Sequence, residues 1–360
     1  MKRLRVRSKS GEYDVIVGEG AWHSLRRLEG HSSRFVLTEP GLWKRWGGKF
    51  SRDAGWGRVR PVFIPAGERS KSLAMAGRVA CELLERGADR RSLLVAFGGG
   101  VVGDLGGFVA STYMRGIALA QAPTTVLAQV DSAIGGKTAV NVRAMKNLIG
   151  TFYPPCQVVS EPAVLGSLST RAFQSGLYEV IKHAILSGPD LFGFLESNLA
   201  ALGPKQASRL EAVVGRAAQV KVDVVTRDER EAGLRRVLNL GHTYGHALEE
   251  VTAYRRFQHG EAVGWGLLLV TRLAELVGLL ESAAGRRIRD LVRQAGHLPP
   301  IRDLRWERIL NLLPRDKKAV GGNIHWVLPE RIGKVQITPD VPAGAVAAAF
   351  REVQRGAWHE

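Results

Sequence analysis

Two cysteines in 360 residues, Cys81 and Cys156, are too few for a disulfide framework and stand at no metal-ligating spacing. Both read as core residues of a protein in a reducing compartment. No stretch reaches 18 uninterrupted apolar residues, which argues against a membrane span. The start, Met1-Lys2-Arg3-Leu4-Arg5-Val6-Arg7, alternates basic and apolar residues as an edge strand does, and no apolar signal segment follows, so the expected location is the cytoplasm. Acidic residues are scarce, 34 against 51 Lys and Arg, which leaves a formal charge of +17. The basic residues are scattered, with no run of five or six, no basic tail and no aromatic-interleaved RNA motif. That distribution disfavours nucleic acid and points to a small anionic substrate.

Lysine is also short, 13 of the 51 basic residues, because Arg serves wherever a generic charge is enough. Seven of the lysines, Lys71, Lys137, Lys146, Lys182, Lys221, Lys317 and Lys318, fall in the motif stretches below. A compact ammonium is not interchangeable with Arg against a phosphate, carboxylate or hydroxyl, so these are candidate site lysines.

Apolar content of 45% and charged content of 24% are those of a folded protein, and the length favours two domains. Residues 1 to about 165 alternate strand and helix patterns, with strands expected at 3–7, 13–17, 34–38, 59–64, 93–97 and 156–160 and helices near 71–87 and 101–113. This alternation predicts a mainly parallel α/β sheet with ligands at the carboxyl ends of its strands. Beyond 166, helical periodicity dominates, at 171–187, 206–226, 231–252, 262–280, 283–295 and 342–355. A hairpin is expected from Ile324 to Ile337 around Pro329-Glu330-Arg331.

Leu93-Leu94-Val95-Ala96-Phe97 runs into Gly98-Gly99-Gly100-Val101-Val102-Gly103-Asp104. Glycines between a strand and a helix free backbone amides to approach a pyrophosphate at the positive end of the helix, although the order is not the Gly-x-Gly-x-x-Gly fingerprint. The turn Pro65 to Lys71 adds an acid for hydroxyls, Glu68, and a lysine. Pro123-Thr124-Thr125 adds two hydroxyls beside the expected pyrophosphate. Asp131 to Thr138 looks like a P-loop but lacks its first glycine, so nucleotide triphosphate hydrolysis is discounted.

The stretch Arg235 to Glu261 is the most unusual. If 231–252 form a helix, Arg235, Asn239, His242 and His246 share one face, where an amphipathic helix normally carries apolar residues. Burying each unpaired polar group costs about 1–3 kcal/mol, so something polar is expected against the stripe. A lone histidine beside apolar residues is usually a core residue. Two at i, i+4 with Arg and Asn, followed by His259 in a glycine-flanked turn, favour a metal site, with Glu179 as the acidic partner. Spacing alone pairs His242 with His246. Glu179 and Lys182 lie three apart on one helix, and Lys221 and Arg235 come from two others that could converge on the stripe.

Taken together, these stretches resemble the 3-dehydroquinate synthase family of sugar-phosphate cyclases. The matching runs are Gly98 to Tyr113, Met114-Arg115-Gly116, Pro123 to Asn141, Lys146 to Gly150, Gly176 to Lys182, Arg235 to His246, His259 to Ala262 and Asp316-Lys317-Lys318. The resemblance implies a Rossmann-like α/β NAD-binding domain over residues 1–165 and a mostly α-helical metal- and substrate-binding domain over 166–360. It makes Glu179, His242 and His259 the ligands of a divalent metal, Zn or Co, and leaves His246 as an uncoordinated acid/base. Arg115, Asn147, Lys182, Arg235, Asn239, His246 and Lys317 or Lys318 would grip a sugar phosphate, with Lys137 and Lys221 near the reacting carbons and Asp131 and Glu231 ordering them. NAD would lie along Glu39, Glu68, Lys71, Gly99, Gly100, Val101, Gly103, Asp104, Thr124, Thr125, Lys137, Lys146, Leu165 and Ser167.

The implied reaction turns 3-deoxy-D-arabino-heptulosonate 7-phosphate into 3-dehydroquinate and phosphate, by transient oxidation with NAD, β-elimination, re-reduction and intramolecular aldol closure in a homodimer. Two positions depart from the family pattern: Glu39 stands where Asp is common for the adenosine ribose, and Leu168-Ser169-Thr170-Arg171 replaces Leu-Pro-x-Arg. The rivals are a paralogous cyclase of the epi-valiolone or deoxy-inosose type and a metal-dependent polyol dehydrogenase. Lys221, Arg235, Asn239 and His246, a set suited to a substrate carboxylate, favour dehydroquinate over the paralogue.

Overall fold

The computed structural model describes residues 1–57, 59, 61–143, 145–313 and 324–356. The first half contains β1 (Lys2–Ser8), β2 (Gly11–Val17), β3 (Arg34–Thr38), α1 (Pro40–Ala54), β4 (Val62–Phe63) and α2 (Leu73–Glu85). It continues with β5 (Leu93–Gly98), α3 (Gly100–Thr112), β6 (Ala118–Pro123), β7 (Lys137–Val142), β8 (Met145–Phe152) and β9 (Gln157–Ser160). There follow α4 (Thr170–Ser187), α5 (Pro189–Asn198), α6 (Ala207–Arg227), α7 (His242–Val251) and α8 (His259–Leu276). The last are α9 (Ser282–Ala295), α10 (Trp306–Leu310), β10 (Trp326–Arg331), β11 (Lys334–Thr338) and α11 (Ala343–Arg355).

These elements form two compact units, Met1–Leu168 with Pro204–Arg230, and Ser169–Gly203 with Glu231–Glu360. In the first, a seven-stranded sheet runs β1-β2-β9-β6-β5-β3-β4. Every residue of β5 is buried, as a strand covered on both faces requires, and it pairs in parallel with β3 and with β6. β1 is the antiparallel edge, and its alternating exposure matches the Lys/Arg-apolar alternation of its sequence. One face of the sheet packs Leu37, Leu94 and Ala96 with Val79 and Leu83 of α2 and Val102 and Leu105 of α3. On α1, Phe50 stacks against Phe97 with centroids 4.4 Å apart. The hairpin β7–β8 is fastened to α3 by hydroxyls: Thr138 and Thr151 lie 2.8 Å apart, and Thr151 donates to Ser111 at 2.9 Å.

The expected division at residue 165 is replaced by a chain that leaves the first unit at Leu168 and returns for Pro204–Arg230. The cause is α6. Its apolar stripe, including Leu210, Val214, Ala217 and Val225, is buried, and β1 and the turn after β2 are tied to it by Lys2 Nζ to Gly215 O at 3.3 Å and Glu19 N to Glu211 Oε2 at 3.1 Å. β6, β7 and β8 were not anticipated, because Ala118-Leu-Ala-Gln-Ala-Pro has no β-branched residue and the glycine-rich run before β7 reads as a turn. Both cysteines are exposed instead of buried: Cys81 is on the outer side of α2, and Cys156 follows Pro154-Pro155.

The second unit is helical apart from the hairpin β10–β11, in which Val327 pairs with Ile337. Its turn falls at Gly333 (φ 92°), and Pro329, Glu330 and Arg331 belong to β10 itself. α4 begins at Ser169, whose hydroxyl accepts the Ala172 N–H at 3.2 Å, so the residue at the family's proline position acts as an N-cap. The expected helix over 231–252 is broken. A 3₁₀ turn, Leu234–Asn239, ends at Leu240, Gly241 takes φ 78°, and α7 starts afresh at His242. The reason lies in α8, since a Cβ on Gly241 would sit 2.9 Å from the Leu267 nitrogen and one on Gly266 would sit 1.8 Å from the Gly241 oxygen. A straight helix with side chains could not pass α8 this closely.

Candidate functional site

In the second unit the glycines that allow close crossings also set the site. A Cβ on Gly260 would meet the Ser175 oxygen of α4 at 1.7 Å, and one on Gly245 would meet the Ala262 oxygen at 3.1 Å. α4, α7 and the start of α8 therefore approach backbone to backbone. Glu179 from α4, His242 at the start of α7 and His259 at the start of α8 meet there. Glu179 Oε1 lies 3.5 Å from His242 Nε2 and 3.4 Å from His259 Nε2. All three offer a ligand atom within 4.8 Å of the others.

Both imidazoles are held through their other nitrogen. His242 Nδ1 is 3.2 Å from the Leu240 oxygen, and His259 Nδ1 is 3.1 Å from Glu249 Oε2. Such partners fix the tautomer that turns the Nε2 lone pair toward the centre. Burial lowers the affinity of His259 for a proton, but Glu249 and Glu179 outweigh it and push its pKa up to about 10, so a cation binding at Nε2 would displace a proton. The α8 start is further fixed by Glu261, which caps the helix, accepts the Gln258 N–H at 2.7 Å and takes two Arg171 N–H groups at 2.6 and 2.8 Å.

A tetrahedral ion with Zn–N and Zn–O bonds near 2.0–2.1 Å has ligand atoms roughly 3.3–3.4 Å apart. The 3.4 and 3.5 Å edges measured here fit that figure, and two imidazoles with one carboxylate leave a fourth position open. Lys182, fully buried one turn after Glu179, lies 2.5 Å from its Oε2. His246 is half-buried, with its ring 5.5 Å from that of His242 and 6.0 Å from that of His259. It groups with Glu249 and His259 and is not in the Glu179 set, so the i, i+4 pairing read from spacing does not describe the centre. Arg235 is buried on the 3₁₀ turn, and Asn239 donates to Glu231 Oε1 at 2.9 Å. Arg235 and Asn239 come from a separate turn, not from the helical face of His242 and His246.

In the first unit, β5 ends at Gly98 and Gly99 caps α3 in an extended conformation. A Cβ on Gly99 would be 3.1 Å from Thr125 Cγ2, and one on Gly100 would be 3.3 Å from the Ser132 hydroxyl. A side chain at either position would crowd this cradle, and Val101 follows in the first turn at the positive helix end. Gly103 fits against Gln121, where a Cβ would stand 3.0 Å from Oε1. Thr124 and Thr125 close the neighbouring strand end, with Thr124 N donating to Gly98 O at 2.9 Å. Glu39 follows β3, the other neighbour of β5, and burial raises its carboxyl pKa. Leu165, buried, and Ser167 lie on a 3₁₀ turn after β9.

Lys71 is buried and its ammonium touches both Asp104 and Asn147. Burial raises the pKa of Asp104, against the pull of Lys71. Glu68 accepts the Asn141 amide at 2.8 Å. Lys221 is buried and pairs with Asp131. Lys137 is exposed at the start of β7, and Lys146 is half-buried on β8. Arg115 is exposed with φ 67°, after Met114 at φ 51°. Lys317 and Lys318 lie outside the described residues. Sequence reasoning missed Glu249 and Asn141; the only signal for Glu249 was its position three residues after His246 on one helical face.

Solved structures share this architecture. The 2-epi-5-epi-valiolone synthase from Streptomyces hygroscopicus subsp. jinggangensis 5008, with NAD+ and Zn2+ bound, superposes with a TM-score of 0.87 at 28% identity over 99% of each chain. A 2-deoxy-scyllo-inosose synthase complexed with carbaglucose-6-phosphate, NAD+ and Co2+ shares the fold, with a TM-score of 0.86 at 24% identity over 98% of this chain and 99% of that one. The fold is therefore that of the sugar-phosphate cyclases. Residues 61–175 match the family model for the 3-dehydroquinate synthase N-terminal region and residues 176–319 that for its C-terminal region. The 3-dehydroquinate synthase of Koribacter versatilis (strain Ellin345) is 42% identical over 365 aligned residues, 98% of either chain. The chain belongs to the 3-dehydroquinate synthase family.

Proposed function

We propose that this chain catalyses the 3-dehydroquinate synthase reaction, converting 3-deoxy-D-arabino-heptulosonate 7-phosphate to 3-dehydroquinate and inorganic phosphate in the cytoplasm, as a carbon–oxygen lyase of the shikimate pathway. The observation that carries the reading is the meeting of Glu179, His242 and His259 at 3.4–3.5 Å in a chain of this family. Glu179, His242 and His259 would hold a divalent ion, Zn2+ or Co2+, since two imidazoles and a carboxylate suit either. The glycine cradle at Gly99 and Gly100 would hold NAD+, as the 28% identical valiolone synthase binds NAD+ and Zn2+.

When bound, the ion supplies a Lewis acid for vicinal oxygens and the nucleotide supplies a reversible hydride acceptor. The remaining work falls to the chain's own residues. Glu249 keeps His259 Nε2 directed at the centre. Lys182, Arg235 and Asn239 offer donors for a carboxylate and hydroxyls, with Glu231 orienting the Asn239 amide. His246, outside the Glu179 set, is suited to move a proton. In the first unit Asp131 holds Lys221, which with Lys137 would act near the reacting carbons, Arg115 and Asn147 would offer donors to the sugar phosphate, and Lys146 would serve the nucleotide.

The test is phosphate release measured on parallel substrates. The proposal predicts faster release from the heptulosonate 7-phosphate than from heptulose 7-phosphate, with no net NADH at steady state. The reverse preference would mark a paralogous cyclase, and NADH accumulation with glycerol-like alcohols a polyol dehydrogenase.

A further inference from the structure

We propose that Asn141 is a positioning residue that ties Glu68 and Lys71 to Asn147. The inference rests on the reading above, which gives Glu68 and Lys71 to the nucleotide and Asn147 to the sugar phosphate, and leaves Asn141 no role.

Asn141 lies near the end of β7 and makes four connections. Its backbone N–H donates to the Lys71 oxygen at 2.8 Å, and it forms a single parallel bridge with Ser72. Its side-chain Nδ2 donates to Glu68 Oε1 at 2.8 Å, and its Oδ1 accepts the Asn147 N–H at 2.8 Å. Asn147 in turn takes the Lys71 ammonium on its own Oδ1 and sits at φ 53°, a left-handed conformation that asparagine tolerates better than most residues. The links close into a ring: Asn141 to Asn147, Asn147 to Lys71, and the Lys71 carbonyl back to Asn141.

A carboxamide meets both needs of this position at once. Glu68 needs a donor and the Asn147 N–H needs an acceptor, and Asn offers both at the tip of a short side chain. Asp keeps the acceptor and sets a second negative charge beside Glu68; Ala supplies neither. With Asn141 in place, ordering Glu68 and Lys71 also orders the hairpin that carries Asn147, so the two ligands share one preorganised framework. Removing its side chain should weaken both ligands together.

The experiment measures NAD+ affinity by calorimetry, KM and kcat for the sugar phosphate, and the melting temperature, on wild type, N141A and N141D. For N141A, the NAD+ Kd and the KM should both rise by roughly tenfold, about what one or two lost hydrogen bonds are worth, while kcat changes much less. For N141D, the NAD+ Kd should rise and the KM should move less, because the Asn147 link survives. A folded N141A with wild-type Kd and KM overturns the proposal, and so does a lowered melting temperature with both constants unchanged. If N141A does not fold, N141D decides on the same readouts: an unchanged NAD+ Kd overturns the proposal. Wild-type protein that binds no NAD+ would instead sink the functional reading, and this inference with it.

Discussion

Glu161 closes β9 as a fully buried carboxylate. One oxygen accepts the Gly20 N–H at 2.7 Å, while the other has no hydrogen-bond partner among the described residues. Burial raises its pKa above the ordinary 4.5, with the Gly20 amide and Lys49 pulling the other way. The folded state thus holds the proton more tightly than the unfolded state does. The stability this contributes is full below 4.5 and is lost as pH rises through the folded pKa. Glu161→Gln removes the dependence, so the melting temperature of the variant relative to wild type should be higher at about pH 8 than at about pH 4. Thermal melts showing the same difference at both pH values would contradict this assignment. Such a residue is invisible in sequence, where Ser160-Glu161-Pro162 reads as a strand end. The residues alone suggested a metal site from His242, His246, His259 and Glu179, and the family resemblance singled out Glu179, His242 and His259 as the proposed ligands. Spacing alone favoured His246, because it cannot tell which imidazole a second helix will turn toward the carboxylate.

The crossing of α7 and α8 is the element on which the proposed metal group depends. Gly266→Ala would drive a Cβ to 1.8 Å from the Gly241 backbone oxygen, which cannot swing aside as a side chain could. A cost of about 1–3 kcal/mol or more is expected, at the level of an overpacked core. Urea denaturation should show a lowered midpoint, and metal content should fall with it; a variant as stable as wild type would show that the crossing can relax. Gly241 and Gly245 are the positions at which a Cβ would collide with a neighbouring element. The approaching group is the backbone of α8, which also breaks the helix expected over 231–252. Long periodic helices and the all-apolar β5 were readable because local pattern and burial agree there. β6 was not, since Ala118-Leu-Ala-Gln-Ala-Pro becomes a strand only by pairing with β5 and β9.

At the scale of the whole molecule, the α/β character of the first part and the helical character of the second followed from the order of patterns along the chain. The return of Pro204–Arg230 to the first unit did not, because an amphipathic helix does not record which partner covers its apolar stripe. The charge of +17 fits a protein that handles an anionic sugar phosphate. Met145, Leu148, Ile149 and Phe152 are exposed on β8, and the native mass, against 39.2 kDa for one chain, tests the homodimer expected from the family resemblance. Native mass spectrometry can count the metal in the same spectrum, and it tests the central claim most directly when wild type, His259→Ala and His246→Ala are compared. One divalent ion per chain is predicted in wild type and in His246→Ala, and none in His259→Ala. Equal loss of the ion from both variants would contradict the assignment of Glu179, His242 and His259 as its ligands.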